Sequence, residues 1–300
     1  MIELANANLE PLVCKRLREK ECTADVLRLD KLHPVVSGNK WFKLKYYLQD
    51  AIDSSKNTIL TYGGAWSNHI IAAAYAARAY GMQSVGIIRG EAPALLSPTL
   101  KLASAYGMEL VFSPRNSYRS NDAALLEQQI VPERQDAYII PEGGEGMHGR
   151  RGCGEILSLV PEGYHTHILC AIGTGTMFTG ILNASSGKQQ VIGIPVLKGM
   201  RDLGKTYENW INPDKRAGAV FFYDYHQGGY AKRTPELLQF MNEFYRLTAI
   251  PTDFVYTGKL MMAFTDLLTK DYFKPGSRVL LIHSGGLQGN SSIPAGSLEF

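Results

Sequence analysis

Ser37, Gly38 and Asn39 are turn- or cap-forming residues, and Lys40 follows them directly. The run Trp41-Phe42-Lys43-Leu44-Lys45-Tyr46-Tyr47 then reads as the start of an amphipathic helix. That order sets Lys40 at a helix start. The positive end of the helix dipole and Lys43, one turn on, both disfavour a charged Lys40. A lysine that releases its proton readily is what condensation with an aldehyde requires. The same residues also describe a solvated surface lysine, and local features alone favour that reading.

A second cluster is Gly63-Gly64-Ala65-Trp66-Ser67-Asn68-His69, between an apolar run and an Ala-rich helical pattern. Backbone N–H groups at a helix start can hold a carboxylate. Ser67 could pass a proton at a substrate carbon, and Asn68 could bond a phenolic oxygen. Plain N-capping by Ser67 or Asn68 is the competing reading, and His69 alone reads equally as a packing residue. A third cluster is Gly173-Thr174-Gly175-Thr176-Met177-Phe178-Thr179-Gly180, after the run ending at Ile172. Bare amides, flanking hydroxyls and a helix start suit a phosphate. The spacing is not G-x-G-x-x-G, and the run Ile192–Leu197 offers no acid for a ribose, so a single phosphate fits better than a dinucleotide. A purely structural glycine loop is the other possibility. Tyr225, Tyr230 and Tyr256-Thr257-Gly258-Lys259 form a fourth set. Tyrosines are usually core residues with a satisfied hydroxyl, and with 16 of them composition selects none. His283-Ser284-Gly285-Gly286 is a further glycine turn.

The elements that must position these residues repeat one pattern: a short apolar run, a glycine turn, then a helical stretch. Strands are expected at Thr58–Tyr62, Ser84–Ile88, Glu109–Phe112, Ala137–Ile140, Tyr164–Ile172, Val191–Val196, Val220–Tyr223 and Arg278–His283. Near-continuous apolar strands alternating with helices indicate a parallel sheet buried on both faces. Ligands of such sheets lie beyond the carboxyl ends of the strands, where the glycine turns stand.

Bulk properties narrow the class. The chain has 300 residues, 45% of them hydrophobic, enough for about two domains. Lys and Arg number 31 against 28 Asp and Glu, a formal charge of +3, with no basic run to engage nucleic acid. No apolar stretch is long enough for a membrane helix, so no membrane partner is expected. MIELANANLE lacks the basic start and apolar stretch of a signal peptide. Cys14, Cys22, Cys153 and Cys170 are widely spaced, so no metal or disulfide framework is expected, and a cytoplasmic location is the default. The residues IPAGSLEF read as an extended tail.

In combination and order, the motifs resemble the fold type II, tryptophan-synthase-β-like pyridoxal-phosphate enzymes. More narrowly, they resemble the 1-aminocyclopropane-1-carboxylate deaminase/D-cysteine desulfhydrase family. The resemblance spans about Leu27 to Gly289. It is carried by S-G-N-K-x-x-K-L at Ser37–Leu44, G-G-x-x-S-N at Gly63–Asn68, P-x-G-G at Pro141–Gly144, Y-T-G-K at Tyr256–Lys259 and H-S-G-G at His283–Gly286. It implies an α/β architecture of two domains with twisted, mostly parallel sheets flanked by helices and the cofactor in the cleft between them. The large domain is expected over 1–44 plus 151–300 and the small one over 45–150, with Asn6–Leu32 an extended start that packs on a neighbouring subunit of a homodimer.

The implied cofactor is pyridoxal 5'-phosphate, held by Lys40, with Asn39, Lys43, Asn68, Gly173, Thr174, Gly175, Thr176, Thr257 and Ser284 in its site. Catalytic roles fall to Lys40, Ser67, Tyr230 and Tyr256. A small amino-acid substrate is met by Ser67, Asn68, His69, Tyr230 and Tyr256, with Tyr225 competing for the place of Tyr230. Thr257 matches the position facing the pyridine nitrogen, where cyclopropane-opening deaminases are expected to carry glutamate. A neutral partner there favours β-elimination of a thiolate, as in a D-cysteine desulfhydrase. The alternatives are the cyclopropane deaminase activity, a non-catalytic cofactor or amino-acid binder, and a nicotinamide-dependent oxidoreductase. Three departures from the family pattern stand out: Met177 in the phosphate loop, His69 in place of glutamine, and Glu145 in place of a small residue.

Overall fold

The computed structural model describes residues 6–119 and 137–300. The first five residues, part of the stretch read for a signal sequence, lie outside the described residues. Among those described, the strands are β1 (Asn8–Pro11), β2 (Thr23–Arg28), β3 (Thr58–Gly64), β4 (Gln83–Arg89), β5 (Met108–Ser113), β6 (Ala137–Ile140), β7 (His167–Ile172), β8 (Gln190–Pro195), β9 (Ala219–Phe221) and β10 (Arg278–His283). The chain divides into two compact units, one from Lys40 to Gly149 and one from residues 6–39 and 150–300. Residues 40–44 belong to the first because the helix Lys40–Asp53 is continuous through them.

The first unit is built on a parallel sheet in the order β5-β4-β3-β6. All of β3 except its last residue is buried, as expected for a central strand covered on both faces. The helix Asn68–Ala79 packs on β3 and β4. Its six alanines favour helix and let it sit close to the sheet. Helix Lys40–Asp53 buries Trp41, Leu44, Leu48 and Ala51, a spacing of three or four that lies on one helical face.

The second unit carries a six-stranded sheet in the order β1-β2-β10-β7-β8-β9. Only β1 and β2 pair antiparallel; the other neighbours are parallel. Leu169, Ile192, Ile194, Val279 and Leu281 from the strands pack with Leu260, Phe264 and Leu267 of helix Thr257–Thr269 in one core. Full burial of a side chain such as Phe264 contributes roughly 1.5–3 kcal/mol.

The N-terminal segment corrects one expectation. Residues 8–32 are not a simple extended start: β1, a short helix at Lys15–Glu19 and β2 build one side of the large sheet. The strand β2 escaped the sequence reading because it carries Asp25 and Arg28. Both are paired inside the protein. Asp25 meets His165 Nε2 at 2.9 Å, and Arg28 donates to Glu10 and Asp30 at 2.7 Å. At the other sites the strand expectations hold with ends shifted by a residue or two, except that β7 begins at His167 rather than Tyr164. The tail IPAGSLEF has no regular structure but is packed, with Phe300 4.7 Å from the Tyr245 ring and Glu299 N–H donating to Asn242.

Chain order reverses once inside each sheet. In the first it does so between β3 and β6, whose carboxyl ends lead into Gly63–His69 and Pro141–Gly144. In the second it does so between β7 and β10, whose carboxyl ends lead into Gly173–Thr176 and Ser284–Gly286. At such switch points neighbouring loops part to opposite sides of the sheet and leave a crevice for a ligand. Four glycine-containing motifs therefore occupy the two switch points.

Candidate active site

In the first unit, three motifs converge. Lys40 is the first residue of helix Lys40–Asp53. Gly144, in the turn after β6, packs on Lys43 and on the His69 ring, so that a Cβ there would lie 2.9 Å from Lys43 Cβ and 3.6 Å from His69 Cε1. Tyr47 donates its hydroxyl to the Glu145 carbonyl, which fixes the same turn from the helix side.

His69 is 2% exposed. Thr61 gives its one hydroxyl hydrogen to the Ile140 carbonyl at 2.8 Å. His69 Nε2, 2.8 Å from the same oxygen, must therefore be the donor in that pair, which leaves the lone pair on Nδ1. Nδ1 is buried without a hydrogen-bond partner. Burial pushes the His69 pKa down to about 3, and the charges of Lys40 and Lys43 add to the effect. His69 is thus a neutral imidazole facing the cationic lysines of the S-G-N-K-x-x-K motif.

Ser67 caps helix Asn68–Ala79. Its oxygen accepts from the His69 and Ile70 N–H groups at 3.2 and 3.4 Å. Capping and chemistry are compatible here. With its oxygen engaged by two donors, Ser67 keeps its own O–H as the group to offer a ligand. Asn68 Oδ1 is buried with no partner. An amide end left unmatched in the interior costs about 1–3 kcal/mol unless something bonds to it.

The second unit holds a contrasting helix start. Helix Thr176–Ala184 begins at Gly175, whose φ is 84°, and no side chain caps it. The ring of Tyr207 lies against Gly175 so closely that a Cβ there would fall 2.6 Å from Tyr207 Cε1. Thr174 and Thr176 hydroxyls are 2.9 Å apart. This start keeps its first amides uncapped and suits an anion, whereas the start at Asn68 has two of its amides taken by Ser67.

Asn39 joins this loop. Its amide nitrogen donates to Met177 Sδ at 3.2 Å, and its backbone N–H donates to the Ser284 carbonyl at 3.2 Å. Met177, the departure in the phosphate loop, is thereby a holder of the residue before Lys40. Gly38, at φ 68°, lies so close to Ser284 that a Cβ would overlap its carbonyl oxygen and stand 2.7 Å from Gly285 N.

Tyr256 packs on the same loop, with its Cε1 3.3 Å from the position of a Gly173 Cβ, and its ring is 6.3 Å edge-on from Tyr230. Tyr225, the alternative to Tyr230, donates its hydroxyl to Asp266 at 2.5 Å. Thr257 is fully buried and its hydroxyl is committed: it donates to Asp253 Oδ1 and accepts from Asp253 N, both at 2.7 Å. Asp253 in turn accepts from Val255, Tyr256 and Thr257 N–H at 2.8–2.9 Å. Four donors fill its two oxygens. Among the described residues, no three His, Cys, Asp or Glu side chains gather at a metal-binding separation, and no helix is long and apolar enough to cross a membrane.

Sequence reasoning missed Tyr207 and Asp253. Nothing distinguishes Tyr207 from the other tyrosines before folding brings it onto Gly175. Asp253 did carry a signal, since an acid just ahead of a helix is a common capping pattern.

Two doubly wound sheets with glycine loops at their switch points define an α/β fold, and its uncapped helix start at Gly175 suits an anionic group. The chain belongs to the family of pyridoxal-phosphate dependent enzymes, which matches residues 9–285. Among curated relatives, a "Putative 1-aminocyclopropane-1-carboxylate deaminase" of Pyrococcus abyssi is 30% identical over 85% of this chain and 81% of its own length. The bifunctional D-cysteine desulfhydrase/1-aminocyclopropane-1-carboxylate deaminase of Arabidopsis thaliana is 27% identical over 85% of this chain and 70% of its own length. A solved structure of an ACC deaminase homologue superposes with a TM-score of 0.82 at 25% identity, covering 96% of this chain and 92% of that one.

The residues present fit the family's cofactor. The uncapped start at Gly175–Thr176 suits a phosphate, the unpartnered Asn68 Oδ1 can accept from a ring hydroxyl, and Lys40 offers an amine.

Proposed function

We propose that this enzyme eliminates a β-substituent from a small amino acid, with D-cysteine the best match, giving pyruvate, ammonia and sulfide with the uptake of one water. When bound, the cofactor supplies an electron sink for negative charge at the substrate α-carbon. Lys40 would provide the amine that holds the cofactor aldehyde and would serve as the base for the proton on the substrate α-carbon. Amides of Gly175 to Phe178 would hold the phosphate. The Asn68 amide bonds the ring oxygen, and the Ser67 O–H donates to the substrate carboxylate. Tyr256 and Tyr230 bound the substrate on the side of the Gly173 loop. His69, neutral at any working pH, stays an uncharged wall rather than an acid.

The observation that carries the choice of reaction is the saturated Thr257–Asp253 pair. At the position matched to the pyridine nitrogen, Thr257 has no hydrogen left to donate, and the four bonds to Asp253 leave that carboxylate no free lone pair. A ring nitrogen without an acidic partner is a weaker electron sink, which suits expulsion of a thiolate better than opening of a cyclopropane. Both activities occur in the names of the relatives, so the test is direct. Pyruvate release is measured from D-cysteine, L-cysteine and D-serine, and 2-oxobutanoate release from 1-aminocyclopropane-1-carboxylate. D-cysteine should have the highest kcat/KM, and preference for the cyclopropane acid would refute the role given to Thr257. We also take the enzyme to act on its amino acid as a cytoplasmic homodimer, on the resemblance and composition; light scattering at the mass of one chain would reject the dimer.

A further inference from the structure

Lys259, the last residue of the Y-T-G-K motif, has no part in the chemistry above, yet it is a fully buried cation. Its ammonium donates to the Gly229 carbonyl at 2.7 Å, across 30 residues of chain. Burial opposes its charge, and the nearby Asp253 carboxylate offsets this in part. A cation in such a place destabilises the fold relative to an apolar residue of the same shape, so its presence calls for a task.

The task lies in the loop it grips. From Gln227 to Ala231, four of five residues have left-handed backbone: Gln227 at φ 51°, Gly228 at 87°, Gly229 at 118° and Ala231 at 52°. Gln227 and Ala231 pay a steric penalty for it. The local bonds that shape the loop are short-range: Gly229 N–H to His226 O, Gly228 N–H to His226 Nδ1, and Thr234 Oγ1 to Gln227 Oε1. The bond from Lys259 ties this strained loop to helix Thr257–Thr269, whose first turn follows Tyr256. The next residue after Gly229 is Tyr230, set edge-on to Tyr256, which itself packs on Gly173.

We infer that Lys259 is a positioning residue: it anchors the His226–Ala231 loop through the Gly229 carbonyl and so sets Tyr230 against Tyr256. Its value for catalysis rests on the proposed placement of Tyr230 at the substrate.

The test compares wild type with Lys259→Met and Lys259→Gln, each loaded with pyridoxal phosphate and checked for native helix content. The first readout is trypsin nicking after Lys232 and Arg233, exposed residues just past the loop. Nicking should quicken about tenfold in Lys259→Met and less in Lys259→Gln, which keeps a donor, with cofactor absorbance unchanged. The second readout is kcat/KM for the best amino acid, expected to fall about tenfold in Lys259→Met but to change little when the same substitution is made in Tyr230→Phe. Faster nicking with a kinetically silent Tyr230→Phe would keep the anchor and discard the substrate role of Tyr230. Unchanged nicking in folded Lys259→Met, or in folded Lys259→Gln if the first does not fold, would overturn the inference.

Discussion

Acid should weaken this protein through His69 by an amount the structure sets. The imidazole has a pKa of about 3 in the fold and about 6.5 when exposed, because it is buried and faces Lys40 and Lys43. Between those values the unfolded chain binds a proton that the folded chain refuses. Stability from His69 is therefore complete above pH 6.5 and lost progressively as pH falls toward 3. Linkage gives a loss of about 2 kcal/mol at pH 5 relative to pH 7. Other groups titrate in this range, so the His69 share is isolated with His69→Gln, whose amide can still donate to Thr61. Urea denaturation of both proteins at pH 7 and pH 5, freed of cofactor so that Lys40 keeps its free amine, reads the difference. Wild type should lose about 2 kcal/mol more than the variant. A parallel loss in the two proteins, within about 0.5 kcal/mol, would mean that His69 is not a buried neutral ring beside two cations.

Gly38→Ala should destabilise by at least about 2 kcal/mol, since alanine resists φ 68° and its Cβ would overlap the Ser284 carbonyl. Thermal melting checks this, and cofactor affinity should fall with it because Asn39 and Lys40 follow directly. Ser67→Ala should cost about 1 kcal/mol as a lost N-cap and, separately, raise KM for the amino acid more than tenfold while cofactor absorbance stays. Loss of the cofactor in that variant would make Ser67 purely structural.

Much of this was legible before folding because the signals were local. Apolar runs ended by glycine or proline turns mark strands of a parallel sheet, so β3, β4, β5, β6, β7, β8 and β10 stand out. β2 did not, because Asp25 and Arg28 look like surface residues until His165, Glu10 and Asp30 arrive from elsewhere to match them. The same division holds at the site. Lys40, Ser67, Asn68 and the Gly173–Thr176 loop carry their meaning in adjacent residues. The proton state of His69, the partner of Met177, the saturation of Thr257 and the grip of Lys259 on Gly229 all depend on contacts distant in sequence. A motif names those residues but cannot say which hydrogen bonds they have left to give.

The account depends most on Lys40 being the amine that holds the cofactor. Borohydride reduction of the purified, cofactor-loaded enzyme, followed by peptide mapping by mass spectrometry, tests this directly. The reduced pyridoxyl group should be found on Lys40, with Lys40→Ala unlabelled and colourless. A label on Lys43 or Lys259, or a yellow and active Lys40→Ala, would contradict it.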